Sequence, residues 1–334
     1  MRFHLTLLEK IMKKYIYATL FLLGSLSTFA QNSDDVEEVE VKGKVLYVDQ
    51  VNSLKPPVPI LDVPQSVSVI TDEEIKNQGF REIGDIIRYS PGVNTSQGEG
   101  HRDAVVFRGV RSTADFYQDG VRDDVQYYRS LYNVEQLEIL RGPNALLFGR
   151  GGTGGLINRV SKKAEIGEAF GSFDVGADSF GASDIAVDAN FATSDSTAVR
   201  LNLHADSLAN HRDFYEGERY GINPTVKIQV DDATTIDLSY EYADHERFID
   251  RGIPTANNKP VESLKDVVFG VEGLNLQTLE ASILRGSLAH DYSDSGKFNM
   301  SITSSDFKKM YKNLYAAGYD AEANTVKLDG YLDP

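Results

Sequence analysis

From Gly167 onward the sequence settles into a two-residue period. It is clearest in Val199–Asp206, where every odd position is apolar and every even one polar, and it recurs in Phe173–Ala177, Ile185–Phe191, Val226–Val230, Ile236–Tyr242, Leu284–Leu288 and Phe298–Ile302. Successive side chains of a strand point to opposite faces, so this pattern demands strands with one wet face and one apolar face. A soluble sandwich and a membrane barrel both meet that demand. The connections separate them. Short turns at Thr193–Thr197, Asp231–Ala233 and Ser293–Gly296 alternate with longer links, Ser207–Tyr220 and His245–Thr278, rich in charge, Gly and Asn. Tight turns at one end and long loops at the other are the layout of a transmembrane barrel.

Upstream lies a different kind of chain. The stretch LEILRGPNALLFGRGGTGGLINRVSKKA, Leu137 to Ala164, packs Gly142, Gly149, Gly151, Gly152, Gly154 and Gly155 between two apolar runs. Residues 149–154 formally satisfy G-x-G-x-x-G. A dinucleotide site, however, needs that loop between a strand and a following helix. Here helix-like PNALLF precedes it and strand-like LINRV follows, so the glycines read as structural, permitting close backbone approach and positive φ. Further back, Pro56 to Pro64 is a proline-rich link and Gln65–Ile70 a short strand. Thr71-Asp72-Glu73-Glu74 then matches a capping box, predicting a helix that stops near Gly79. A second short helix is expected over Ile83–Tyr89, a strand over Ala104–Val110, a tight turn at Asp119-Gly120, and strands at Leu137–Leu140 and Leu156–Val160. A small α+β domain over residues 44–163 follows.

The net charge of −16 argues against nucleic acid, whose phosphates select a basic surface. Having no Cys, the chain has neither disulfides nor thiolate chemistry, and its six His show no metal-ligand spacing, so no metal site is expected. No Ser/His/Asp arrangement or carboxylate pair suggests catalysis, and no cofactor is implied. At the N-terminus, Lys13 and Lys14 precede an apolar core, Ile16 to Leu26, with Thr28 and Ala30 placed for cleavage before Gln31. This predicts a signal peptide over 1–30, starting at Met12, because the run is shorter than the ~20 residues of a spanning helix. An N-terminal anchor helix is the competing reading. No other apolar run approaches that length, so a membrane form has to be a β-barrel.

The 137–164 stretch and the order of elements around it resemble the plug of TonB-dependent outer-membrane siderophore receptors. The fold class implied is an α+β plug domain followed by antiparallel transmembrane β-barrel strands, an incomplete 22-stranded barrel. The domains implied are a periplasmic tail over 31–43, a plug over 44–163, and the first eight or so wall strands over 168–334. In the tail, Val36, Glu37, Glu38, Val39, Glu40 and Val41 resemble a TonB box, an extended segment that adds to the transducer's sheet edge; an acidic disordered tail is the plainer alternative. The arginines of FRGV and LRGP, Arg108 and Arg141, are implied to pair with carboxylates of the inner wall; solvated surface arginines are the alternative. The plug's outward loops would carry His101, Arg102, Arg122, Tyr127, Tyr128 and Arg129, the aromatic faces and cationic donors that a large anionic ferric siderophore needs.

The resemblance leans toward catecholate receptors through LYNVEQLEILRGPNALLFGRGGTGG and Asp250-Arg251-Gly252-Ile253-Pro254. Its partners would be the TonB transducer, a ferric siderophore and outer-membrane lipid, with iron present only as cargo. The chain departs from the family in wall length. With strands of about 10 residues, residues 168–334 supply roughly eight, without the terminal aromatic strand, and an open edge cannot persist in hydrocarbon. The expectation is the N-terminal part of a longer receptor, lacking the extra signalling domain of some relatives and unable to transport as it stands. Two rivals stand beside it: the same machine with haem, cobalamin or saccharide as cargo, and a secreted β-rich adhesin or binding module.

Overall fold

The computed structural model describes residues 50–52, 58–96, 98–123, 125–144, 148–149, 152, 154–293 and 296–332. The expected signal peptide, the Val36–Val41 segment and Gly151 lie outside the described residues. A two-residue ladder joins Gln50–Val51 to Val58–Pro59. The first domain then holds β1 (Ser66–Thr71), α1 (Asp72–Gln78), α2 (Ile83–Ile87), β2 (Val93–Thr95), β3 (Val105–Phe107), β4 (Val110–Ser112), β5 (Phe116–Gln118), β6 (Val121–Arg122), β7 (Val134–Arg141) and β8 (Gly155–Ser161).

The capping box forms as the sequence demands. The Glu74 amide donates to Thr71 Oγ1 at 3.2 Å, and the Thr71 amide donates to the Glu74 carboxylate at 3.0 Å. Gly79, at φ +64°, ends α1 in the left-handed region. Five strands stand in the order β1-β7-β8-β5-β6, with β8 and β5 parallel and the other pairs antiparallel. Beneath them Ile75, Ile83, Ile86, Ile87, Phe107, Phe116, Leu137, Ile139 and Ile157 form one buried cluster. Burying each such side chain contributes about 1.5–3 kcal/mol, enough to hold α1 and α2 against the sheet.

The expected strand over Ala104–Val110 is instead a hairpin. Phe107 pairs with Val110 across Arg108 and Gly109, both at positive φ (48° and 89°). Two central residues with φ > 0 are what a right-twisted two-residue hairpin turn requires, and Arg108 adopts it despite its Cβ. The glycine cluster is spent on proximity as well as on turns. A Cβ on Gly155 would lie 2.6 Å from the Phe107 ring, and one on Gly154 only 2.9 Å from Phe107 Cβ.

The second part is an eight-stranded sheet in strict sequence order: β9 (Phe170–Ala177), β10 (Ser183–Ser194), β11 (Thr197–Ala209), β12 (Glu216–Gln229), β13 (Thr234–Phe248), β14 (Leu276–Ser293), β15 (Gly296–Asp320) and β16 (Thr325–Tyr331). Every neighbouring pair is antiparallel. These strands outrun the period-two stretches that announced them, so the link expected over Ser207–Tyr220 shrinks to residues 210–215 and the one over His245–Thr278 to residues 249–275. The extra length carries charge on both faces, which erases the alternation while leaving the ladder intact.

The wall is inside out relative to a soluble protein. Along β11, Arg200, Asn202 and Asp206 are buried while Val199, Leu201 and Leu203 remain partly open. Elsewhere on the inward face lie Asp188, Asn223, Glu241, Arg247 and Gln277, all buried, whereas Phe173, Phe191, Leu238, Leu284 and Ile302 face outward, Phe173 and Ile302 each 64% exposed. An outward apolar band over a buried polar face is the pattern that a lipid-facing wall requires. Among the described residues no helix is long and apolar enough to cross a membrane. The plug sits against the polar face.

Candidate functional site

Two polar constellations occupy the space between plug and wall. The first bolts them together. Glu82, the residue that caps α2, accepts from Arg247 Nη2 at 3.0 Å and lies 3.3 Å from Arg219 Nη1, both arginines being buried on the inner wall. Burial pushes the Glu82 carboxyl up, but Arg247 and Arg219 more than offset it, so its pKa falls below the ordinary value. Arg219 also pairs with Asp206, and the Arg247 guanidinium lies 4.1 Å from the centroid of the Tyr128 ring. Around this clamp, Arg81 meets Asp184 at 2.5 Å, Lys162 meets Asp188 at 3.0 Å, and Arg285 donates to Gln118 Oε1 at 2.6 Å. Tyr132 stacks on His204, with ring centroids 5.3 Å apart, and fills the space beside Gly221, where a Cβ would come within 2.7 Å of the phenol. A cavity of about 630 Å³ runs between α1 and the first wall strands, lined by Lys76, Arg81, Asp184, Asp188 and Asp206 among others.

The second constellation lies at the end of the wall that carries the long loops. The plug loop 98–103 approaches residues 249–251 there, and a Cβ on Gly100 would fall 2.8 Å from the Asp250 carbonyl oxygen. The His101 ring packs at a tilt against Tyr311 with centroids 4.1 Å apart, receives Lys309 Nζ at Nδ1 (2.8 Å), and has Arg102 Nη1 3.1 Å from Nε2. Burial, then the charges of Lys309, Arg102 and Arg251, lower its pKa to about 3, so the ring is neutral in any physiological medium. Arg251 lies over the Tyr315 ring at 3.7 Å. Among the described residues neither Lys309 nor Arg251 has a carboxylate within ion-pair distance, while Arg102 is held by Glu99 at 3.0 Å. The cluster therefore carries an excess of positive charge beside aromatic faces. Among the described residues no group of His, Asp and Glu is placed to hold a metal ion.

The profile of the TonB-dependent Receptor Plug Domain matches residues 59–156. The chain is 29% identical over 323 residues to the probable TonB-dependent siderophore receptor PiuA of Acinetobacter baumannii, covering 92% of this chain and 43% of that protein. It is 32% identical over 237 residues to the catecholate siderophore receptor Fiu of Escherichia coli, covering 67% and 30%. The crystal structure of A. baumannii PiuA superposes with a TM-score of 0.74 at 28% identity, over 81% of this chain and 40% of that one. Residues 59–156 belong to the TonB-dependent receptor plug domains. The chain spans less than half the length of the curated relatives it matches.

Within this chain the expected site residues separate into three groups. His101 and Arg102 do reach the loop-end cluster. Tyr127 and Arg129 do not: they are buried in the plug itself, which corrects the expectation that they project outward. Arg129 is fully enclosed and donates to Asp123 at 2.9 Å and Asp103 at 3.3 Å, with the Phe116 ring 4.1 Å away. Tyr127 donates to Asp123 at 2.9 Å, and burial raises its pKa so that it remains a neutral donor. A guanidinium inside a small domain needs such a set of acceptors, and once supplied with them it has none to offer a ligand. Arg122 donates to the Ala114 carbonyl at 3.1 Å, and Tyr128 faces Arg247, so both serve contacts within the protein.

Arg108 and Arg141 also depart from expectation. Among the described residues neither pairs with a wall carboxylate: Arg108 is exposed, and Arg141 donates to Ser66 Oγ and Ser68 Oγ at 3.2 and 2.6 Å. The bolts run the other way, from the plug's Glu82 to arginines of the wall. The sequence did carry a signal for this. Arg200 occupies an inward position of a period-two strand; its main partner is Asp188 of the wall at 2.8 Å, but it also reaches Glu135 of the plug at 3.6 Å. Of the glycines, Gly142, Gly149 and Gly152 take positive φ (107°, 78° and 64°), while Gly154 and Gly155 allow close approach to Phe107.

Proposed function

We propose that this chain forms the plug and first wall strands of an outer-membrane receptor that imports ferric siderophores, catecholates foremost. The observation that carries the reading is the inverted wall closed onto a plug by buried ion pairs. Such a wall suits lipid outside and a polar lumen inside, and a plug held by discrete charge pairs can be released by a modest force without unfolding the wall. The similar proteins bear siderophore names: PiuA is called a probable siderophore receptor and Fiu a catecholate one. The cationic and aromatic character of the loop-end cluster suits an anionic ligand bearing planar rings. Val36–Val41 would be the segment gripped by a TonB-type transducer of the inner membrane, which uses proton-motive force to draw the plug aside.

The test is uptake of radioactive iron by iron-starved cells of the organism that makes this chain, with the gene intact or deleted. Ferric catecholates, ferric hydroxamates and haem are supplied separately. Loss of catecholate-borne iron on deletion is expected. Unchanged uptake of every ferric chelate would overturn the siderophore reading, and selective loss of haem would transfer the receptor to that cargo.

A further inference from the structure

We infer that Arg251, a residue of the long loop between β13 and β14, captures anionic ligand oxygen at the loop-end cluster. The inference rests on the uptake reading for the site's location, and on three features of the loop for the residue. First, the guanidinium is placed but unspent. Its Cζ lies 3.7 Å from the Tyr315 ring centroid, and among the described residues its enclosed Nε and Nη1 have no hydrogen-bond acceptor. A buried donor without an acceptor is costly, and an arriving anion removes that cost. Second, the neighbouring carboxylate is engaged elsewhere. Asp250 is held by Arg212, whose Nε donates to it at 2.6 Å, and it also accepts from the Gly252 amide at 2.8 Å. Asp250 thus has its partners already and leaves Arg251 unneutralised.

Third, the loop is fastened where it matters. Arg212 also donates to the carbonyls of Lys265 and Val267, at 2.6 and 3.0 Å, tying the far side of the loop to its start. At the loop's end, Asn275 donates to the Ile249 and Leu314 carbonyls and accepts from the Val271 and Leu314 amides, all between 2.9 and 3.0 Å. A loop clamped at both ends holds its third residue, Arg251, at a fixed height, a preorganisation that favours recognition over entropy loss. The plug's Gly100 packs directly beneath Asp250, so a ligand gripped by Arg251 would press on the plug apex as well.

The probes are ferric tris(2,3-dihydroxybenzoyl) chelates, which are anionic, a neutral ferric trihydroxamate, and haem, whose propionates are anionic but whose iron is not siderophore-borne. Binding is measured on receptor purified from cells expressing the chain from its own locus. Arg251→Gln should weaken the anionic ferric chelate by roughly tenfold to a hundredfold and leave the neutral one unchanged, with Arg251→Lys in between. Equal weakening of charged and neutral chelates, or no weakening of either, overturns the inference. If the unaltered receptor binds haem but no ferric chelate, the siderophore reading fails alone, and loss of haem binding in Arg251→Gln still upholds anion capture. If it binds none of the three, both readings fall. An unchanged melting temperature and intact binding of the neutral probe show that the variant has folded.

Discussion

Replacing Glu82 by Gln should loosen the plug from the wall more than any other single change of similar size. The carboxylate serves two guanidinium groups, and the two differ in what they keep when it is gone. Arg219 retains Asp206, but the only carboxylate within ion-pair distance of Arg247 among the described residues is Glu82, and without it the guanidinium keeps the Tyr128 ring but no ion pair. Breaking a buried pair by removing one partner costs about 3–5 kcal/mol. The Glu82 side chain is 26% exposed, and solvent screens part of that, so about 2–3 kcal/mol is the reasoned expectation. That corresponds to roughly a 30- to 150-fold rise in the population of undocked plug. Hydrogen exchange of the plug amides, read on the receptor in detergent, reports it as faster exchange across α2 and β7 while wall amides hold their rates. A double-mutant cycle with Arg247→Met isolates the pair. A coupling energy near zero, or equal acceleration in the wall, would refute the clamp. The pH dependence has a definite sign. Because the pKa of Glu82 is lowered on folding, its contribution is complete above the ordinary carboxylate pKa and is lost as pH falls through the depressed value.

Gly221→Val places branched carbon where the Tyr132 phenol lies within 2.7 Å of a Cβ; the plug should dock poorly while the wall still assembles, seen as protease sensitivity confined to the plug. Thr71→Ala removes the cap of α1 and should lower plug stability by about 1 kcal/mol, measured by calorimetry, with Thr71→Ser nearly neutral. Burial, opposed by Arg129, raises the Asp103 pKa to about 6. An acid with a raised folded pKa stabilises the protein as pH falls from above that value toward the unfolded one, so the stability difference between the parent and Asp103→Asn should move in the parent's favour between pH 7.5 and 5. A pH-independent difference would refute the shift.

What the sequence disclosed and what it withheld have physical causes. The wall was legible because lipid on one side and water on the other force a period of two, as at Val199–Asp206. Strand ends were not, because beyond the apolar band both faces are polar, as at Glu216, Glu218, His245 and Arg247. The capping box at Thr71 and the turn at Asp119-Gly120 are local chemistry and were readable for that reason. Arg108 broke a strand that its neighbours favoured, since a hairpin turn depends on tertiary closure as much as on propensity. The roles of Arg129 and Tyr127 were misread because an Arg-Tyr-rich loop looks the same whether it points outward or folds in to satisfy Asp103 and Asp123. Glu82 went unremarked since its partners, Arg219 and Arg247, lie more than a hundred residues away.

The account stands or falls on which face of the wall meets lipid. The chain has no Cys, so single cysteines can be introduced at Phe173, Leu284 and Ile302, which face outward, and at Asn202 and Gln277, which face the plug. Each is spin-labelled in native membranes and its collision rates with oxygen and with a water-soluble nickel chelate are measured. Labels at the three outward positions should favour oxygen strongly, and those at the two inward positions should be shielded from it. Outward labels relaxed chiefly by the nickel chelate would mean that the apolar band faces water, and the receptor reading would be wrong.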